Sequence, residues 1–184
     1  MAARSGMTEL ISQWRSMCGG VGTATISDDR AQQILDNSRY DFWQEPLQVQ
    51  PLTIAAGSVV YKVYNSPYQN LEGTASGTVA YRLYDSNGTA WTPDSLDMQR
   101  GIFRFNADQK GSARYLDGRS FDLNGAAAEG WRDLSGLYSS YYDFQQEGRR
   151  FSRSQWFEHC QSMAMSFDSR GKGRQVDIVR GDFA

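Results

Sequence analysis

Gly118-Arg119-Ser120-Phe121-Asp122-Leu123-Asn124-Gly125-Ala126-Ala127-Ala128 is the stretch on which the reading of this fold turns. It closes a turn-rich, alternating region and opens a long helical pattern. Ala126, Ala127, Ala128, Trp131, Leu134, Leu137, Tyr138, Tyr141 and Tyr142 recur at helical spacing, which predicts a broad apolar stripe through Phe144. Asp122 or Asn124 is placed to cap its start. Gly130 and Gly136 weaken this helix by up to about 1 kcal/mol each relative to Ala, as is common where something packs closely. The chain then turns at Glu147-Gly148-Arg149-Arg150. Ser152 and Gln155 have capping-box spacing and start a last helix, with Trp156, Phe157, Cys160, Met163, Ala164 and Phe167 on its inner face. Gly171 and Gly173 end it.

The amino-terminal region carries two shorter helical patterns. Met7, Leu10, Ile11, Trp14, Met17 and Cys18 share one face, and Gly19-Gly20 with Gly22 stops the helix. Ser27 is an N-cap for the second, with Asp28 and Asp29 in its first turn and Ala31, Ile34, Leu35 and Ser38 inward. This helix is expected to persist to about Phe42 or Trp43, because Pro46 is the next residue that stops it. Between Leu47 and about Leu116 the period becomes two. Leu47 to Gln50, Val59 to Tyr64, Val79 to Tyr84, Ile102 to Phe105 and Ser112 to Leu116 read as strands. Asn87-Gly88 marks a tight hairpin, and Gly57, Pro67, Gly73, Gly77 and Pro93 punctuate the rest.

The expected fold is therefore α+β. A four-helix bundle carries a small antiparallel β-domain of five or six strands, inserted between helices two and three, and ends in an extended arm. The divisions are residues 1–45 for the first helix pair and 46–117 for the inserted β-domain. Residues 118–170 form the second helix pair and 171–184 the arm. Trp14, Leu35, Trp131, Leu134, Phe157 and Met163 are the expected core.

The 184 residues carry 40% apolar and 22% charged side chains, which suits a folded chain with one sizeable core or two small ones. A formal net charge of -2 supplies no global field for nucleic acid or an anionic membrane. With no signal-like segment and no long apolar run, a soluble, unsecreted protein without membrane partners is expected. Cys18 and Cys160 lie within helical patterns among apolar neighbours, so buried free thiols are expected.

The residues that catalysis needs are sparse. His159 is the single histidine, and its neighbour Cys160 diverges from it by about 100° around a helix, so they form no dyad. Zinc-type spacing is absent. Gly19-Gly20-Val21-Gly22-Thr23 follows a helix and lacks the Lys of a phosphate loop. The carboxylate pairs Asp28/Asp29 and Asp94/Asp97 are explained by helix-start and turn roles. Asn87-Gly88-Thr89 fits a glycosylation acceptor but reads as a turn in an unsecreted chain. No catalytic residue, cofactor or metal is indicated.

The carboxyl-terminal segment is slightly basic. Arg170, Lys172 and Arg174 alternate with Gly, as in a flexible basic arm. Beyond them, in the tail Val176, Asp177, Ile178, Val179 and Arg180, the residues Val176, Asp177 and Ile178 alternate as an added strand requires.

Several of these stretches together resemble the head–tail connector (adaptor) proteins of long-tailed bacteriophages. The resemblance is carried by Gly118 to Leu123 running into Ala126-Ala127-Ala128, by Tyr142-Asp143-Phe144, by Gly148 to Gln155, and by the tail Val176 to Asp182. Leu10-Ile11 and Ile26 to Asp36 are similar to the helix pair that opens these connectors. The alternating middle departs from the simplest, almost wholly helical members. The resemblance implies a connector-type bundle in a virion structural protein. Such connectors assemble as a homo-oligomeric ring, commonly a dodecamer, beneath the portal protein, after a stage in the host cytoplasm. The ring extends the channel through which genomic DNA passes and receives the next neck or tail protein. The segment Arg170 to Arg180 would then dock on the portal by strand addition. The alternatives are another neck or tail-terminator component, or a ligand-binding module with an aromatic site at Tyr61, Tyr64, Tyr81 and Trp91.

Overall fold

Residues 4–54, 58–73, 80–139, 144–146, 149–151 and 153–171 are described by the computed structural model. They divide into two compact units, Met1–Leu123 and Asn124–Ala184.

The first unit opens on a 3-10 turn, Ser5–Met7, leading into α1, Thr8–Met17. Met7, Leu10, Ile11, Trp14 and Cys18 are buried, the expected face. The Gly20 N–H donates to the Arg15 carbonyl at 2.8 Å with Gly20 at φ +75°, so the glycines end the helix as expected. Ser27 caps α2, Asp28–Asn37, its Oγ accepting from the Arg30 N–H at 3.2 Å. Ala31, Ile34 and Leu35 are buried.

The second helix does not persist to Phe42. It ends at Asn37, and Arg39–Pro46 forms strand β1, paired antiparallel with β7, Arg114–Phe121. Asn37 and Ser38 favour a helix end, and Tyr40, Phe42 and Trp43 favour a pleated surface. The decisive factor is a partner far downstream in the chain: Asp41 faces Arg119 and Phe42 faces Gly118 across the ladder. β4, Arg82–Asp85, pairs with the other side of β7, giving a three-stranded sheet of order β1-β7-β4. A four-stranded sheet of order β2-β3-β6-β5 comprises β2 (Gln48–Thr53), β3 (Val59–Asn65), β5 (Ser95–Asp97) and β6 (Ile102–Arg104). The two sheets share one core of Phe42, Leu47, Tyr64, Leu71, Leu83, Phe103, Phe105 and Leu116.

The Asn87-Gly88 turn forms as read. Gly88 adopts φ +78°, and the Asp85 carboxylate accepts the N–H groups of Asn87 (2.8 Å) and Thr89 (2.9 Å). These backbone donors, that of Thr89 foremost, hold the Asp85 pKa below the usual carboxylate range.

An ion cluster fastens the amino terminus to both α2 and the sheet. Arg4 meets Asp36 with two nitrogens, at 2.7 and 3.0 Å, and Glu72 with a third at 3.0 Å. The hydrogen bond to Asp36 leads in pushing the Arg4 pKa up. Glu72, only 2% exposed, also accepts from Arg119 at 3.3 Å. Burial of a carboxylate is tolerated here because two guanidinium groups satisfy it.

The second unit holds α3, Leu123–Ser139 from Asn124 onward, and α4, Arg153–Gly171. The two run antiparallel. Tyr138 stacks on Trp156, the Gln161 amide donates to Ser135 Oγ at 3.0 Å, and Arg132 pairs with Asp168 at 3.0 Å. The helical pattern does not reach Phe144: α3 stops at Ser139, and β8 (Phe144–Gln146) pairs with β9 (Arg149–Phe151). Tyr141, Tyr142 and Ser152 lie outside the described residues.

The mixed α+β class holds, but the four-helix bundle does not. The helices fall into separate pairs, α1 with α2 and α3 with α4, in different compact units. Nor is the β-region an insertion into helices. Its flanks, Arg39–Pro46 and Arg114–Phe121, are strands of one sheet and help build the principal core. Of the expected core residues, Trp14, Leu35, Trp131 and Leu134 are buried, whereas Phe157 is exposed and Met163 half-buried. Of the residues expected on the inner face of α4, Cys160, Ala164 and Phe167 are buried.

Candidate functional site

Arg170 sits in the last turn of α4, exposed, its guanidinium 5.3 Å from the Phe167 ring centre. A cation there complements the helix dipole. Lys172, Arg174, Val176, Asp177, Ile178, Val179 and Arg180 lie outside the described residues.

The aromatic residues of the ligand-site alternative are dispersed. Tyr64 is fully buried, its hydroxyl donating to the Ser112 carbonyl at 3.0 Å. Burial pushes its pKa up. Trp91 lies between Phe105 and the buried Arg114, whose guanidinium is 3.7 Å from the indole centre. Tyr61 covers Gly111, and Tyr81 neighbours Phe103. Tyr61 and Tyr64 belong to β3, and Tyr81 and Trp91 pack against the core from outside the strands. His159 lies edge-on to Trp131 and Trp156 on the exposed side of α4. Both cysteines are free and buried, and burial pushes the Cys18 thiol up to about 12. Among the described residues no group of three or more His, Cys, Asp or Glu could hold a metal ion, and no helix is long and apolar enough to cross a membrane.

What the structure assembles are surfaces suited to macromolecular contact. The first is the open face of the β1-β7-β4 sheet. The register of β1 slips between Phe42 and Glu45, and Gln44 adopts φ +54°. Such a bulge re-aims its side chains. Phe42 stays in the core while Trp43 is 74% exposed. The bulge is held from below: Asp117 accepts from the Gln44 N–H at 2.7 Å and from the Tyr84 hydroxyl at 2.8 Å. Burial, and then this bond to Asp117, push the Tyr84 pKa up. Trp43 borders a depression of about 280 Å³ whose lining includes Arg82, Arg119, Asp41 and Tyr81.

The second surface is a concavity of about 470 Å³ lined by α1, the chain around Leu71 and the end of β5. Leu10, Leu71, Leu96 and Met98 make its apolar floor, and Glu9, Asn70 and Gln99 its polar rim. Gln13 also lines it, with a buried Nε2 that has no hydrogen-bond partner among the described residues. On the helix pair of the second unit, Leu137, Phe157, Trp156 (53%) and Met165 (68%) are exposed one by one.

Sequence reading missed both surfaces. Helical spacing carries α2 to about Phe42 or Trp43, and only the aromatic density of Tyr40, Phe42 and Trp43 points to a strand. The concavity is built from segments about 60 and 90 residues apart in the chain, which no local pattern reveals. Comparison with protein-family models, curated proteins and solved structures finds no match.

Proposed function

We propose that the chain is a non-enzymatic virion structural protein, the head–tail adaptor of a tailed bacteriophage. It forms a ring beneath the portal, extends the DNA channel and joins capsid to tail. The observation that carries this reading is the exposure of Trp43, Trp156 and Met165 on two compact units. Exposed large apolar side chains are unfavourable in water, and are accounted for when an assembly covers them. The connector-like stretches quoted above choose the assembly. The β-rich first unit replaces the expected helical bundle as the body of the subunit, so ring contacts come from sheet faces as well as helices. Arg170 and the segment after it remain the proposed portal anchor.

The test is electron microscopy of the full chain mixed with a tailed-phage portal protein. A ring stacked coaxially on the portal is expected, lost on deletion of residues 171–184 while the circular dichroism spectrum is retained. A ring on the tail side without portal contact would assign the chain to another neck or tail-terminator position. Normal portal binding after the deletion would remove the docking role of the arm.

A further inference from the structure

We infer that neighbouring copies of this chain join head to tail, Trp43 of one copy seating in the concavity beside α1 of the next, with Arg82 of the first paired to Glu9 of the second. This contact rests on the reading of the chain as a ring-forming subunit and names the surfaces that close the ring.

Trp43 is presented, not merely left outside. Holding a non-glycine residue, Gln44, in the left-handed region is unfavourable, and so is exposing an indole at 74%. The fold accepts both and locks the result through Asp117 and Tyr84. A rigid aromatic side chain fixed in advance loses little entropy on docking, the usual property of an interface anchor.

The receiving surface matches in shape, polarity and charge. Its volume of about 470 Å³ exceeds what an indole fills, and its floor of Leu10, Leu71, Leu96 and Met98 is apolar. Gln13 Nε2 is a buried donor without an acceptor among the described residues. β1 is an edge strand, so the docking segment presents main-chain carbonyls beside Trp43. Arg82 borders the Trp43 depression and is exposed. Its guanidinium meets the Gly88 carbonyl and the Tyr84 ring, and no carboxylate among the described residues. Glu9 is exposed on the concavity and makes no ion pair among the described residues. The two linings have no residue in common, as a head-to-tail contact between identical subunits requires.

The experiment uses the full chain assembled with the portal ring, with a photoreactive benzoylphenylalanine in place of Trp43 and a mixture of isotope-labelled and unlabelled copies. Intermolecular cross-links to the Gly6–Gln13 or Leu96–Gln99 peptides are expected. Trp43→Ala and Arg82→Glu should each weaken assembly by more than about tenfold, and Glu9→Arg should restore it in the Arg82→Glu background. Rings that form unchanged with both single variants, or cross-links confined to the same copy, to the portal or to other peptides, overturn this contact and leave the ring reading standing. If the wild-type chain forms no ring with or without portal, the ring reading fails and this contact falls with it. Restoration by charge exchange separates a docking effect from misfolding.

Discussion

Replacing Glu72 with Gln tests whether the ion cluster holds the amino terminus in place. The change keeps shape and removes one charge. Glu72 accepts from Arg4 at 3.0 Å and Arg119 at 3.3 Å. The carboxylate is 3% exposed, while the arginine side chains are 33% and 41% exposed. A carboxamide has one acceptor oxygen, and its NH₂ would face a guanidinium that offers only donors. One charge-assisted bond is lost outright and the other becomes charge-to-neutral, a loss of roughly 2–4 kcal/mol before correction. Two effects reduce it. The arginine heads regain water, and the neutral amide avoids the desolvation penalty of a buried charge. A net destabilisation of about 1–2 kcal/mol remains. Arg4→Ala removes the partner of both Asp36 and Glu72 and leaves a buried charge half-compensated, so it should cost about 2 kcal/mol or more. In the double variant the effects should fall short of additivity by about 1 kcal/mol, since both act on one contact. The assay is urea denaturation followed by far-ultraviolet circular dichroism, with hydrogen exchange of α1 and α2 reporting the local loosening. If both single variants lie within about 0.5 kcal/mol of wild type, the cluster behaves as an ordinary surface pair and the reasoning is wrong.

Two further outcomes follow from backbone geometry and titration. Gly101→Ala should destabilise the first unit by about 3 kcal/mol or more, read by the same denaturation. Its added Cβ would stand 2.3 Å from the Tyr68 carbonyl oxygen at φ +69°, so a wild-type midpoint would contradict the packing. The Asp85 pKa is depressed in the fold, so its contribution is present above the ordinary carboxylate pKa and is lost as pH falls through the folded value. Asp85→Asn should therefore flatten the decline of melting temperature below about pH 4, and an unchanged acid limb would show that the turn carboxylate is not involved.

Local signals identified the elements whose geometry is set locally. Ser27 with Asp28 and Asp29 located the start of α2, the Gly19-Gly20 pair ended α1, and Asp85 to Gly88 formed the expected turn. In each case the hydrogen-bonding groups lie within a few residues of one another. Local signals do not locate the pairing of Arg39–Pro46, expected as helix to about Phe42 or Trp43, with Gly118–Phe121, which lies beyond the strand expected to end at Leu116. Both are strands because each is available to pair with the other. The apolar stripe of α4 shows a related limit. Periodicity placed Trp156 and Phe157 with Cys160 and Ala164, yet only the latter two are covered.

By itself, then, the sequence determined an α+β chain with capped helices, a period-two middle and few residues for catalysis, because propensity, capping and turn chemistry act over short distances. Tertiary structure alone decided that the helices separate into two pairs and that Glu72 is ringed by arginines. It also decided that Trp43 points outward above a bulge while Phe42, one residue earlier, enters the core. Those outcomes depend on which distant strand supplies the ladder and its register. A slip of one residue in a strand exchanges the buried and exposed faces, and nothing within reach of Trp43 along the chain specifies that slip.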